Sequence, residues 1–196
     1  AGLLLPVYIV SDIFALIFYR KDFDVKILKI SILGMTIGVL IGWATANLVI
    51  EWVVTITIGF MGLIFALNQI LQNKTVNKNP KKINQTKGIF WCSIAGFTSF
   101  ISHNGGPPWQ IFVLPIGLKK VVYVGSSVIA FSYVNAIKVV PYYFLGQLNF
   151  ESIKIALFLL IPASFAVYLG YKVVTIIPEK LFYLLVSWSL LLISFK

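Results

Sequence analysis

Residues 88–118 read GIFWCSIAGFTSFIS, then HNGGPP, then WQIFVLPIGL: two apolar runs, Gly88–Ser102 and Trp109–Leu118, around the helix-breaking insert His103–Pro108. At 1.5 Å per residue each run reaches roughly 15–23 Å, short of the ~30 Å hydrocarbon core of a bilayer. Joined end to end, they are too long for one straight crossing. Either one span breaks at depth, or two half-helices dip in and return to the same face. Irregular backbone at that depth is tolerated only where protein or a wet cavity satisfies it.

The rest of the chain makes a bilayer the right frame. Of 196 residues, 59% are hydrophobic and 11% charged, and the mean hydropathy is +0.94. A soluble domain carries roughly 25% charged residues. The fold class predicted is an all-α integral membrane protein. Besides 88–118, six stretches are apolar enough to span or come close: Leu3–Tyr19, Ile30–Ile50, Trp52–Leu71, Val121–Gly146, Ile153–Ile177 and Leu181–Phe195. No charged n-region precedes Leu3–Tyr19, which therefore reads as a span and not a signal peptide. Gln72–Lys87 holds five Lys and no acid and reads as a connector.

Lysine placement favours the returning hairpin. Arg20–Lys29 and Gln72–Lys87 lie on one face with nine basic residues. If 88–118 returns to that face, Lys119, Lys120, Lys172 and Lys180 join them, giving thirteen against two; a single crossing gives eleven against four. The first count fits the positive-inside rule better and makes loops 20–29 and 72–87 cytoplasmic. The chain also repeats. A shift of 128 pairs Gly34, Gly38, Gly42 and Glu51 with Pro162, Ala166, Gly170 and Glu179, and Asp22-Phe23-Asp24 matches Asn149-Phe150-Glu151 one position off. Small residues at every fourth position let helix backbones approach closely in lipid. The expected organisation is a first repeat at 1–71, a basic loop at 72–87 and a second repeat at 88–196. With a hairpin at 88–118, Glu51 and Glu179 fall on opposite faces and the repeats are inverted, a common transporter arrangement. Nothing before Ala1 corresponds to 88–118, so the first repeat is expected to lack its opening broken segment.

Chemistry concentrates at the break. Pro107 and Pro108 are pre-shaped for a first helical turn. That turn is expected to aim free N–H groups and a positive dipole end into the membrane, an anion site. The candidate substrate-binding residues there are Ser102, His103, Asn104, Gly105, Gly106, Pro107 and Gln110. His103 is either a packed hydrogen-bonding residue or a proton carrier near neutral pH, which would couple transport to protons. Asn135 and Lys138, inside Val121–Gly146, are further candidate substrate-binding residues. A base at helix centre costs about 2.5–3.5 kcal/mol on insertion scales, so it should face the bundle interior or a cavity. Asp12 lies at a similar place in the first span, and the two form a candidate ion pair for which a substrate anion competes; the bland alternatives are a structural pair or a snorkelling lysine. Ser126 and Ser127 offer hydroxyls beside Gly125, as site groups or ordinary helix-packing residues.

Other function classes recede. One Cys and one His leave no disulfide framework, no metal set and no nucleophile–base pair, and no P-loop is present. The chain reads as no enzyme, with no cofactor, and its +10 net charge as loop charge and not as a nucleic-acid surface.

The same residues resemble a family. Gly96-Phe97-Thr98-Ser99-Phe100, His103, Gly105-Gly106-Pro107-Pro108 and Leu114-Pro115 are followed by Val124-Gly125, Val134-Asn135-Ala136-Ile137-Lys138, Pro141-Tyr142 and Leu145-Gly146-Gln147. This string resembles the sulfite exporter TauE/SafE family of bacterial membrane proteins. The likeness is dense over 96–148 and looser elsewhere, where Pro6, Asp12, Tyr19-Arg20 and Gly38 through Gly42 also fit. The resemblance implies two repeats, each opening with a glycine-rich broken segment, and movement of small sulfur-containing or organic anions. Where the family tends to show Gly-Thr-Thr, this chain has Gly125-Ser126-Ser127. The expectation is a multi-pass secondary transporter of sulfite, a sulfonate or another oxyanion in the bacterial inner membrane, working by alternating access. Its partners are the lipid bilayer, the anion and a coupling proton, with a homo-oligomer compatible. The alternative class is a membrane chaperone or a non-transporting structural subunit.

Overall fold

In the computed structural model, residues 4–71, 82–148 and 150–194 are described. They form eight helices: α1 (Leu5–Tyr19), α2 (Val25–Thr45), α3 (Glu51–Leu71), α4 (Gln85–Ser102), α5 (Gly106–Val113), α6 (Lys120–Phe144), α7 (Phe150–Ile176) and α8 (Glu179–Ile193). A 3-10 turn at Leu114–Ile116 extends α5, and there is no strand among the described residues. Three segments are long and apolar enough to cross a membrane: Val25–Thr45, Lys120–Phe144 and Leu157–Ile176. Leu5–Tyr19 and Glu51–Leu67 are apolar but shorter.

Helix boundaries follow local chemistry. α2 begins five residues before the expected Ile30, because Asp24 accepts the Ile27 N–H and caps the helix there. Lys26 and Lys29 are thereby helical residues and not loop. Likewise Asn84 accepts the Lys87 N–H and starts α4, so Gln85–Lys87 belongs to the helix and not to the connector. The connector's residues 72–81 lie outside the described residues.

α2 and α4 run parallel in the most extensive contact between described helices. A Cβ at Gly34 would meet Cys92 Cβ at 2.6 Å, one at Gly38 the Ser93 oxygen at 2.0 Å, and one at Gly42 the Phe100 ring at 2.9 Å. From the other side, a Cβ at Gly96 would lie 2.3 Å from the Met35 oxygen. The small-residue stripe is therefore a backbone-to-backbone seam. α5 returns antiparallel to α4. Gly105 lies against Ala95 and Ser99, while the Phe112 ring reaches back to Gly88. The segment 88–118 is thus a helical hairpin whose two ends lie together.

Its arms are unequal. α4 has 18 residues, about 27 Å at 1.5 Å per residue, so the ascending arm is nearly a full span and not a half-helix. Inside the hairpin, Trp109 Nε1 donates to Ser31 Oγ at 3.1 Å, and Cys92 Sγ reaches the same oxygen at 3.6 Å. All three residues are buried. Ser31→Ala should therefore cost about 1–3 kcal/mol in chemical denaturation, the penalty for an orphaned buried indole N–H. A loss no larger than that of an exposed Ser→Ala control would show that the indole finds another acceptor.

The remaining helices wrap this pair. α1 runs antiparallel to α6, from Asp12 beside Asn135 to Asp22 beside Gly125. α3 descends from the hairpin tip against α8, with Gly59 and Gly62 facing Ser194. α7 packs on α1, where Phe18 stacks on Tyr171 with ring centroids 4.7 Å apart. On α7, Phe158, Ile161 and Ile176 point outward, each at least 80% exposed. A Cβ at Gly170 would meet nothing within 4 Å.

Candidate functional site: the tip of the helical hairpin

α4 ends because His103 takes a left-handed conformation, φ 53° and ψ 20°. The His103 N–H then donates to the Ser99 oxygen at 3.2 Å and the Asn104 N–H to the Thr98 oxygen at 3.3 Å. This pair of bonds closes a helix C-terminus in the manner usually built on glycine. Thr98 Oγ1 secures the far side of the turn by donating to the Asn104 oxygen at 3.1 Å. Ser102 Oγ donates back to the Thr98 oxygen at 3.2 Å.

α5 supplies fewer donors than a helix start ordinarily offers. Pro107 and Pro108 have no N–H, and the Trp109 N–H already bonds the Gly105 oxygen at 3.3 Å. The donors left to this first turn are the Gly105 and Gly106 N–H groups, with the positive dipole end behind them. One turn on, Gln110 Oε1 is buried without a hydrogen-bond partner. A half-turn of that amide would present its NH2 at the same place.

Lys138 completes the tip. It is fully buried, and its Nζ lies 3.1 Å from both the Ser99 oxygen and Ser99 Oγ and 3.3 Å from His103 Nδ1. The expected direct pair with Asp12 is replaced by a relay: Asn135 Nδ2 donates to Asp12 Oδ2 at 2.8 Å. Asp12 remains within coulombic reach of the ammonium. Lys138 lies six residues past Ser132, the middle of α6, so the break lies nearer the C-terminal end of α6 than its middle.

The tip opens into a cavity of about 550 Å³ lined by Leu4, Tyr8, Glu51, Thr55, Ser102, His103, Asn104 and Ile193. The Tyr8 ring lies 5.3 Å from the His103 ring, and Tyr142 closes the opposite side at 5.9 Å. Of the candidate residues, Ser102, His103 and Asn104 line this cavity. Lys138 lies behind His103, with Asn135 and Asp12 one turn away. Gly105, Gly106, Pro107 and Gln110 follow on the same break without being among its lining residues. It does not bring Ser126 and Ser127 there. They lie about 18 Å down α6, twelve residues at 1.5 Å each. Ser126 Oγ accepts the Asp24 N–H at 2.9 Å, so its hydroxyl anchors the turn between α1 and α2.

Four residues of the tip carried no sequence signal as site residues: Tyr8, Glu51, Thr55 and Ser99. Glu51 was visible only as the repeat partner of Glu179, and the others are ordinary helix residues until the fold brings them close.

The family model described as "Sulfite exporter TauE/SafE" matches residues 1–196, the whole chain. Neither the curated proteins nor the solved structures compared with the chain gave a significant match. A whole-length family match on an all-helical fold settles the affiliation: the chain belongs to the sulfite exporter TauE/SafE family.

Proposed function

We propose that this chain is a secondary transporter that carries a small anion, such as sulfite, a sulfonate or another oxyanion, across a bacterial inner membrane and leaves it chemically unchanged. One observation carries the reading. A lysine ammonium is buried at a helix break, hydrogen-bonded to Ser99 and His103, beside a cavity large enough for an oxyanion. A buried cation at the break where α5 begins, with the positive dipole end of that helix, favours a negative guest. Glu51 at the exposed mouth opposes that charge, so an anion inside is attracted from below and repelled from the rim. Alternating access around this tip is the mechanism we favour, with His103 the candidate carrier of a coupling proton.

Topology supports the same reading. The hairpin ends lie together, as a segment dipping from the lysine-rich, cytoplasmic face requires. α3 and α8 both begin on the acids paired by the repeat, Glu51 and Glu179. Glu51 lines the tip cavity, while Glu179 Oε1 accepts the Lys120 N–H at 3.2 Å at the other end of α6. Opposite ends are what inverted repeats demand, and six spans besides the hairpin fit that arrangement.

Uptake of labelled sulfite by proteoliposomes holding the full chain tests the reading. Saturable flux above empty liposomes is expected, and its absence across a panel of oxyanions would refute transport. His103→Gly refines the test. Glycine removes the left-handed strain, roughly 1–2 kcal/mol for other residues, so the melting midpoint should hold or rise. Flux should nevertheless fall several-fold as Lys138 loses its imidazole partner. Unchanged flux would make His103 a helix cap and nothing more.

A further inference from the structure

A second cavity lies at the opposite end of the hairpin. It has a volume of about 620 Å³ and is lined by Lys26, Lys29 and Ile30 at the start of α2 and by Lys82, Ile83 and Gln85 at the start of α4. Among the described residues lining it there is no acid. Asp24, at the start of α2, accepts the Ile27 N–H and caps that helix. Because α2 and α4 are parallel neighbours, their positive dipole ends open side by side beneath the three ammonium groups. A groove of about 290 Å³ adjoins this cavity and shares Lys82. Its other walls are mostly apolar: Trp91, Ile111, Phe112, Pro115 and Ile116. The floor is closed, because Ile30 and the Phe112 ring meet over Gly88, where a Cβ would lie 2.6 Å from each. The cavity is therefore a pocket of its own and no channel to His103.

We infer that this pocket binds a phosphate-bearing anion, with the phosphate among Lys26, Lys29 and Lys82, and that an anionic phospholipid fits it best. Three lysines at a helix-start face, with no acid among the described residues lining the pocket, supply the charge recognition, as basic pockets between membrane helices do for lipid headgroups. The adjoining apolar groove supplies what a free phosphate cannot use, a wall for acyl chains. Trp91 beside that groove is the kind of amphipathic ring that sits at headgroup level.

The full chain in detergent, titrated with lipid and read by native mass spectrometry, tests the inference. Phosphatidylglycerol should bind at least tenfold more tightly than phosphatidylcholine. The triple variant Lys26→Gln, Lys29→Gln, Lys82→Gln should lose that preference, and the corresponding triple Lys→Arg variant should keep it. The charge-matched control Lys119→Gln, Lys172→Gln, Lys180→Gln should also keep it. Equal binding of the two lipids, or a preference that survives the first triple variant, overturns the inference. Glycerol 3-phosphate and inorganic phosphate separate the sources. Weak binding of both supports the lipid, and binding as tight as that of phosphatidylglycerol supports the phosphate site while assigning it to a soluble anion.

Discussion

Lys138→Met should abolish anion flux, at least tenfold and down to the level of empty liposomes, while leaving the protein folded. The two halves of that expectation have separate causes. Methionine fills nearly the same volume without a charge. Replacing a buried ion pair by well-packed apolar groups is often neutral or stabilising by about 1–4 kcal/mol, whereas removing one partner of a direct pair costs about 3–5 kcal/mol. Here Asn135, and not Lys138, is the donor to Asp12. Lys138 is fully buried and spends its donors on Ser99 and His103, so little but charge is lost. Asp12 keeps its Asn135 donor, yet it no longer faces a cation. The double variant Lys138→Met, Asp12→Asn should therefore be at least as stable as Lys138→Met and equally inactive. Flux assays and melting curves on the same preparations decide the matter. Retained flux in Lys138→Met would remove the central residue of the proposed site.

The second large effect concerns stability. Gly38→Ala should cost about 3 kcal/mol or more, at or beyond the upper end of ordinary overpacking. Its new methyl would sit 2.0 Å from the Ser93 oxygen and 2.5 Å from the Phe97 nitrogen. Both atoms are backbone, so relief requires α2 and α4 to move apart along their whole seam. Gly170→Ala occupies the position paired with Gly42 by the repeat, yet it meets nothing within 4 Å. There the change should fall within about 0.5 kcal/mol of neutral, or gain up to ~1 kcal/mol from helix propensity. Denaturation midpoints of the two variants in one detergent make the comparison. Similar losses at both positions would mean that α7 carries a backbone contact like that of α2.

These two glycines also show what a linear reading can see. Spacing revealed the stripe on α2, because close approach needs small residues at fixed intervals whatever the partner. It could not say which stripe was covered, since that depends on a helix fifty residues away. The hairpin was legible because His103–Pro108 breaks a helix on local grounds alone. Its returning course was suggested by lysine placement, and the length of its α4 arm was hidden because Gln85–Lys87 read as loop. Charge misled there: a lysine in the first turn of a helix looks like a connector until a cap such as Asn84 or Asp24 is recognised. Lys138 announced itself as a buried cation, but its partners did not. Ser99, Tyr8 and Glu51 reach the site only through tertiary contact. Ser126 erred in the other direction, a polar residue near the right motif and about 18 Å from the right depth.

The hydrogen bond from the Asp24 N–H to Ser126 Oγ has a mechanical meaning. Beside it, Gly125 admits the Asp22 carbonyl so closely that a Cβ would collide with it. The linker joining α1 to α2 is thereby riveted to α6, and the α2–α4 seam adds the hairpin to the same chassis. Against that chassis, α3 and α8 are fastened to each other mainly across Gly59, Gly62 and Ser194. If the molecule rocks, the pivoting arm is this pair, and it carries Glu51 and Ile193 across the mouth of the tip cavity like a shutter.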